Sequence, residues 1–225
     1  MDSLPARSWR PRRPARLAAA PVAAILLAAL ASDLWRPAGG ARAAEDDGAP
    51  MRAVDIPGFG ALHLPVPEDW DVGSVTSVDP AAATEGVPVD APRSASFAVS
   101  PDGPAHCEMI VSFSWTDMPD PAFNGPAALR ALVDRMARAA LEDSIESRYA
   151  LREMRSPRGG GYYFTLRARA PRKKSQAYLT SGAFGLGNGL LRFTLLSPQP
   201  DPPEAVEAIH LIAGARIDDE PAPAP

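Results

Sequence analysis

Residues 159–197 constrain the fold more than any other part of the chain, because strand periodicity and turn residues agree there. Tyr162 and Phe164 alternate with polar residues along a first run, and two further apolar runs follow it. The pair Asn188 and Gly189 separates the last two runs, and Asn-Gly in this position is typical of a type I′ hairpin turn. The stretch therefore predicts a three-stranded antiparallel meander.

The periodicity of the apolar residues predicts the other main elements. A strand is expected at residues 106–116, and one of its faces collects the apolar side chains Cys107, Met109, Val111, Phe113 and Trp115. A helix is expected from Pro126 to about Ser144, and a second helix after Asp201. This order of elements predicts an α+β fold, in which a single antiparallel β-sheet is packed by two main helices as an α/β sandwich.

The N-terminal region has the composition of a Sec-type secretory signal peptide. Five arginines precede an apolar run of fifteen residues, 17–31, and small residues then form two cleavage sites, after Ala31 and after Ala43. An uncleaved anchor is the alternative, but this run is shorter than the roughly twenty residues that a bilayer requires. We therefore assign residues 1–43 to the signal peptide and expect a periplasmic or secreted bacterial protein, with no transmembrane helix in the mature chain.

Composition divides the remainder of the chain into three parts. Residues 44–57 are acidic and contain glycine and proline, so we expect a flexible leader. Residues 58–217 form the predicted α+β domain, within which 76–92 lacks periodicity and is expected to be a surface loop. Residues 218–225 are acidic and rich in proline and alanine, and we expect a disordered tail.

The charge of the mature chain excludes one class of partner. After residue 43 the chain carries 16 basic and 25 acidic side chains, a net charge of −9, compared with −4 for the whole sequence. Nucleic-acid binding requires a basic surface, because neutralised phosphates release counterions. We therefore exclude nucleic acid as a partner.

Cys107 is the only cysteine, so the chain forms no internal disulfide. Its place on the apolar face of a predicted strand favours a buried, inert thiol. His106 precedes it on the same strand and points to the opposite face, so His106 cannot serve as its base. A small periplasmic enzyme or ligand-binding module remains the alternative, with a pocket near Cys107 under the 76–92 loop that also involves His106 or His210.

The sequence predicts no metal site, no cofactor and no catalytic residue. The histidines His63, His106 and His210 lie more than forty residues apart, whereas a zinc site needs three or four convergent ligands. The glycines between 182 and 189 precede a strand, and phosphate-binding loops instead depend on the N-terminus of a helix.

Basic residues are concentrated on the central hairpin of the predicted meander. We expect an anion-binding or partner-binding patch there, which would engage an envelope protein or an anionic envelope component. The alternative is protection of a sheet edge, where charge prevents pairing between molecules. The patch consists of Arg167, Arg169, Arg172, Lys173, Lys174 and Arg192.

Three segments carry a resemblance to a known fold family. They are Leu-His-Leu-Pro-Val-Pro-Glu-Asp-Trp at 62–70, the helix from Ala127, and Gly-Tyr-Tyr-Phe at 161–164 ahead of the hairpin at 182–193. Over residues 59–217 the chain resembles the fold shared by PsbP, an extrinsic subunit of photosystem II, and small DcrB-like proteins of the bacterial envelope. The resemblance implies an α/β sandwich and a binding or assembly role, although the metal-binding features of PsbP find no match.

These observations together predict an exported, non-enzymatic binding or envelope-maintenance protein. We expect it to engage its partner through one sheet face or through the basic hairpin.

Overall fold

The structure is a computed structural model that describes residues 49–78, 92–101, 107–171 and 173–217. The predicted signal peptide and C-terminal tail lie outside the described residues. Two antiparallel β-sheets form the larger part of the secondary structure in the described chain. In chain order their strands are β1 (Met51–Ile56), β2 (Gly60–Pro65), β3 (Trp70–Val72), β4 (Thr76–Val78), β5 (Arg93–Pro101), β6 (Glu108–Trp115), β7 (Arg152–Ser156), β8 (Gly159–Arg167), β9 (Tyr178–Leu186), β10 (Gly189–Ser197) and β11 (Arg216–Ile217).

Within the described residues, the larger sheet has eight strands and the smaller sheet has three. The larger sheet runs in the order β3-β5-β6-β10-β9-β8-β7, and β4 also pairs with β5. The smaller sheet runs in the order β1-β2-β11. Three helices accompany them in the described chain: α1 (Pro121–Asn124), α2 (Pro126–Leu141) and α3 (Pro203–Ala213), and a 3-10 turn covers Lys174–Gln176. None of the described helices combines the length and the apolar character needed to cross a membrane.

The predicted single sheet packed by two main helices is wrong. One face of the larger sheet is covered by the smaller sheet together with α3, and the opposite face is covered in part by α2. The single-sheet prediction fails because the β1–β2 hairpin belongs to a separate sheet. Its apolar side chains Val54, Ile56, Leu62 and Leu64 alternate with more exposed residues, and they join the buried cluster on the larger sheet. A half-apolar hairpin of this kind must bury one face, so it packs as a second sheet.

The ordered domain begins before Gly58, so the predicted flexible leader at 44–57 is wrong over the residues of β1. Gly58 and Gly60 have φ values of +78° and +122°, which allow the chain to reverse between β1 and β2. At the other predicted loop, 76–92, the first three residues form β4. Residues 79–91 lie outside the described part of the chain.

The predicted meander is confirmed as β8, β9 and β10, but its second turn is not the predicted one. Leu186 pairs with Gly189, so the two central residues are Gly187 and Asn188. Only Gly187 has a positive φ, +55°, as in a type II′ turn, whose first central position favours glycine. The prediction of an Asn188-Gly189 type I′ turn is therefore wrong by one residue.

The predictions of the apolar strand at 106–116 and the helix from Pro126 are confirmed as β6 and α2, with α2 ending at Leu141. The buried face of α2 packs against β8 and β9 through Leu129, Val133 and Ala137, which form a second cluster with Phe164 and Ala183. A cleft opens between α2 and the neighbouring strands β10, β6 and β5.

Candidate functional site

The floor of the cleft is the face of β5, β6 and β10 that points away from the smaller sheet. On this face Ser94 is paired with Ser114, and Ser96 is paired with Ser112. The hydroxyl oxygens of Ser96 and Ser112 are 2.8 Å apart and share a hydrogen bond. Because serine side chains are short, the floor lies close to the strand backbone and space remains above it.

The wall of the cleft is formed by α1 and α2, which contribute the half-buried side chains Phe123 and Leu132. Asn124, the last residue of α1, fixes this wall to the β9–β10 turn. Its Nδ2 donates hydrogen bonds of 2.8 Å to the carbonyl oxygens of both Gly187 and Gly189. The wall is therefore attached to the same hairpin that supplies part of the floor.

Arg192 lies in the floor on β10, where its Cα partners are Ser112 on β6 and Ala183 on β9. The side chain is half-buried, and its Nε is fully buried with no hydrogen-bond partner among the described residues. No described aspartate or glutamate forms an ion pair with it. Burial lowers the pKa of the Arg192 guanidinium, which nevertheless stays charged at neutral pH because arginine titrates so far above it.

The cleft has a volume of about 500 Å³ and is open to solvent. Arg135, an exposed residue of α2, adds a second positive charge to its lining. No acidic residue is found among the described residues that line it. The cleft therefore combines two guanidinium groups and serine hydroxyls with the apolar side chains of its wall, which is suited to an anion and unsuited to a cation.

From the sequence, Arg192 was predicted to belong to the hairpin patch, and the cleft was not predicted. Two signals were present in the sequence. Arg192 is the only charged residue in the apolar run of β10, and serines recur on the side of β5 and β6 that points away from Phe97, Val111 and Phe113. What the sequence did not reveal is that α2 covers β8 and β9 and leaves this part of the sheet open.

The structure brings together part of the predicted basic patch and separates Arg192 from it. Arg172 lies outside the described residues, Lys173 is exposed, and Lys174 begins the 3-10 turn. Tyr162 pairs with Ala183, which pairs with Arg192, so these three share one sheet face. Arg167 lies five residues after Tyr162 on β8, on the opposite face and about 16 Å further along the strand direction. Arg192 therefore cannot act in one patch with Arg167.

The side chain of Arg169 and the backbone of Arg167 hold the connection between α2 and β7 against the sheet. The Nε and Nη2 of Arg169 donate hydrogen bonds of 3.2 and 2.9 Å to the carbonyl oxygen of Ser144. The backbone N–H of Arg167 donates to the Glu146 carboxylate at 3.0 Å, and the Ser144 hydroxyl donates to the same carboxylate. Desolvation raises the pKa of Glu146, but these hydrogen bonds outweigh it and leave the pKa below its ordinary value. These contacts give the side chain of Arg169 a structural role, whereas Arg167 contributes its backbone N–H.

Cys107 belongs to the core cluster between the two sheets, with only 2% of its surface exposed, so the cleft lies on the other side of the larger sheet. Burial, followed by the negative charges of Glu204 and Glu207, raises the pKa of its thiol to about 12. His106 lies outside the described residues, and His210 is exposed on α3. In the described part of the chain, no three His, Cys, Asp or Glu side chains converge to hold a metal ion. The thiol is therefore poorly placed for nucleophilic chemistry.

Comparison with protein-family models and with curated proteins gives no match. Among solved structures, the chain is similar to an uncharacterised protein of Mycobacterium smegmatis, described as an Rv0999 ortholog. The two are 15% identical, the match covers 65% of this chain and 86% of the other, and the TM-score is 0.32. A likeness at this level transfers no function, and the resemblance to PsbP and DcrB-like proteins stays a prediction.

Proposed function

We propose that this chain is an exported, non-enzymatic binding protein of the bacterial envelope and that its ligand site is the cleft beside α2. The proposed location is supported by the arginine-rich start, the apolar run and the two cleavage sites that follow it. The binding role is supported by the cleft itself, in which charged and hydroxyl groups lie beside apolar side chains.

The observation that supports the proposal most directly is the buried Nε of Arg192, which has no partner among the described residues. A charged group that is removed from water without a partner costs free energy, and the described residues offer its Nε no acceptor. A residue selected for folding alone would be apolar or small here, because its neighbours on this face of β10 are Leu190 and Thr194. A residue that lowers the stability of the folded protein is expected at a functional site rather than elsewhere. An anion bound in the cleft would pair with the guanidinium charge and so offset this cost.

Replacing Arg192 with methionine is expected to raise the free energy of unfolding by about 1 kcal/mol, because an apolar side chain fills the position without a desolvated charge. The R192M variant is also expected to lose the stabilisation that phosphate or acetate gives to the wild type. Denaturant unfolding at pH 7, with and without each anion at matched ionic strength, measures both effects.

Arg148→Met is the matched control, since Arg148 is exposed in the connection after α2. It is expected to leave the stability and the response to anions unchanged. If R192M unfolds more easily than the wild type, and anions stabilise the two equally, Arg192 has a structural partner within the chain and the proposed site is wrong.

The proposed location has its own test. The full chain, produced in a bacterium, is expected in the osmotic-shock fraction with residues 1–43 removed, or 1–31 if the first site is used. Intact mass measurement distinguishes the two sites. A chain that starts at Ala44 is the control and is expected to stay in the cytoplasm. Recovery of the uncleaved full-length chain in the cytoplasm would contradict export.

A further inference from the structure

We infer that the ligand of the cleft is an amphiphilic oxyanion, in which a carboxylate or phosphate group binds Arg192 and a short apolar tail lies along α2. This inference rests on the proposed function and adds the chemical class of the ligand. It follows from the way in which polar and apolar groups are divided within the cleft.

The head group is specified by Arg192 and its neighbours. A guanidinium presents its N–H donors in a planar fork that matches the oxygens of a carboxylate or phosphate. Ser94 and Ser114 line the same floor and can donate hydroxyl protons to an oxyanion, while Arg135 contributes a second charge at the side of α2. Because no acidic residue is among the described residues of the lining, nothing there competes for these donors.

The tail is specified by the apolar part of the lining. Leu190 lies two residues from Arg192 on the same face of β10, about 7 Å along the strand. Phe123 and Leu132 face it from α1 and α2, and both are only half-buried. An inorganic anion on Arg192 would leave Phe123 and Leu132 against water, whereas an alkyl tail would cover them.

The dimensions favour a small molecule. A volume of about 500 Å³ lies within the range of sites that hold metabolite-sized ligands. The shared chemistry is an oxyanion with an apolar arm, and two sources provide it: alkanoates and alkyl phosphates. Titration with both series of compounds separates these two sources.

The test uses the buried Nε–H of Arg192 as a reporter, because protection from solvent makes its NMR signal observable, and the signal is assigned by its loss in R192M. The wild type is titrated with acetate, butanoate, hexanoate and octanoate, and with the alkyl phosphates of the same chain lengths. The dissociation constant is expected to fall about fourfold for each added methylene group until the tail fills the cleft. The series that binds more tightly at equal chain length identifies the head group.

Two variants test the position of the tail. Leu132→Ser is expected to flatten the dependence of affinity on chain length while leaving the binding of acetate and ethyl phosphate in place. Val206→Ser, at an exposed position of α3, is the control and is expected to retain the full dependence. Octylammonium is expected not to bind.

The outcomes distinguish the two proposals. If acetate and ethyl phosphate shift the Arg192 signal but affinity does not change with chain length, the proposal of an amphiphilic ligand is wrong and the anion site stands. If no member of either series shifts the signal, the proposed function itself is wrong. Binding of octylammonium as tightly as octanoate would show non-specific apolar binding and would overturn the inference.

Discussion

Replacing Gly185 with alanine is expected to lower the free energy of unfolding by about 2 to 3 kcal/mol, because the site has no space for a methyl group. A Cβ at this position would lie 2.6 Å from the carbonyl oxygen of Asn124 and 3.1 Å from Cδ1 of Leu129. The first of these atoms is backbone, so the end of α1 would have to move. That movement would disturb the hydrogen bonds from Asn124 to Gly187 and Gly189 that hold the wall of the cleft.

Gly160→Ala provides a matched control, because Gly160 is the direct partner of Gly185 on the neighbouring strand. A Cβ at Gly160 would have only an ordinary contact, 3.6 Å from the carbonyl oxygen of Met154. This variant is expected to change stability by less than about 0.5 kcal/mol. Urea unfolding followed by tryptophan fluorescence compares the two, and equal stabilities of G185A and G160A would contradict the described packing of α1 on β9.

Cys107 is expected to react with a thiol reagent about a thousand times more slowly in the folded protein than in urea. At pH 8 a thiol with a pKa of about 12 is ionised in only about one molecule in ten thousand, compared with about one in four at the unfolded value near 8.5. Burial also blocks access to the sulfur. Labelling with iodoacetamide followed by mass spectrometry measures both rates.

The same pKa shift predicts the pH dependence of stability. Since the folded pKa of Cys107 is raised, its contribution to stability is complete below the unfolded value of about 8.5 and is lost as the pH rises towards about 12. Cys107→Ala is the control, because without the thiol the free energy of unfolding no longer falls for this reason as the pH rises. Rapid labelling of the folded wild type at pH 8 would instead show an accessible thiolate and would revive the alternative of an enzyme centred on Cys107.

Local periodicity was enough to predict β6, α2 and the meander. Along β6 the apolar side chains of Met109, Val111 and Phe113 are all fully buried, as the alternation of the sequence predicts. Alternation works here because successive side chains of a strand point to opposite faces, so one buried face leaves a pattern in the sequence. The same holds for Leu129 and Val133, which α2 buries one turn apart.

The second sheet was not predicted, because β1 is short and lies between acidic and proline-containing residues. Only two of its six residues, Val54 and Ile56, are buried, and the acidic Asp55 lies between them. Their burial depends on pairing with β2, in which Leu62 and Leu64 take part. The periodicity of one strand does not show which other strand it pairs with. The acidic composition of residues 44–57 therefore led to the wrong prediction of a flexible leader.

The sequence by itself determined β6, the meander and α2, that β10 carries a single arginine, and that the chain after residue 43 is acidic. Tertiary structure decided what that arginine does. In an isolated meander β10 would be an edge strand and Arg192 would be solvated, but β10 also pairs with β6 and becomes central to the sheet. Desolvation depends on neighbours that are distant in sequence, here β6 and the helix α2, so only the folded chain converts Arg192 from a surface charge into the floor of a cleft.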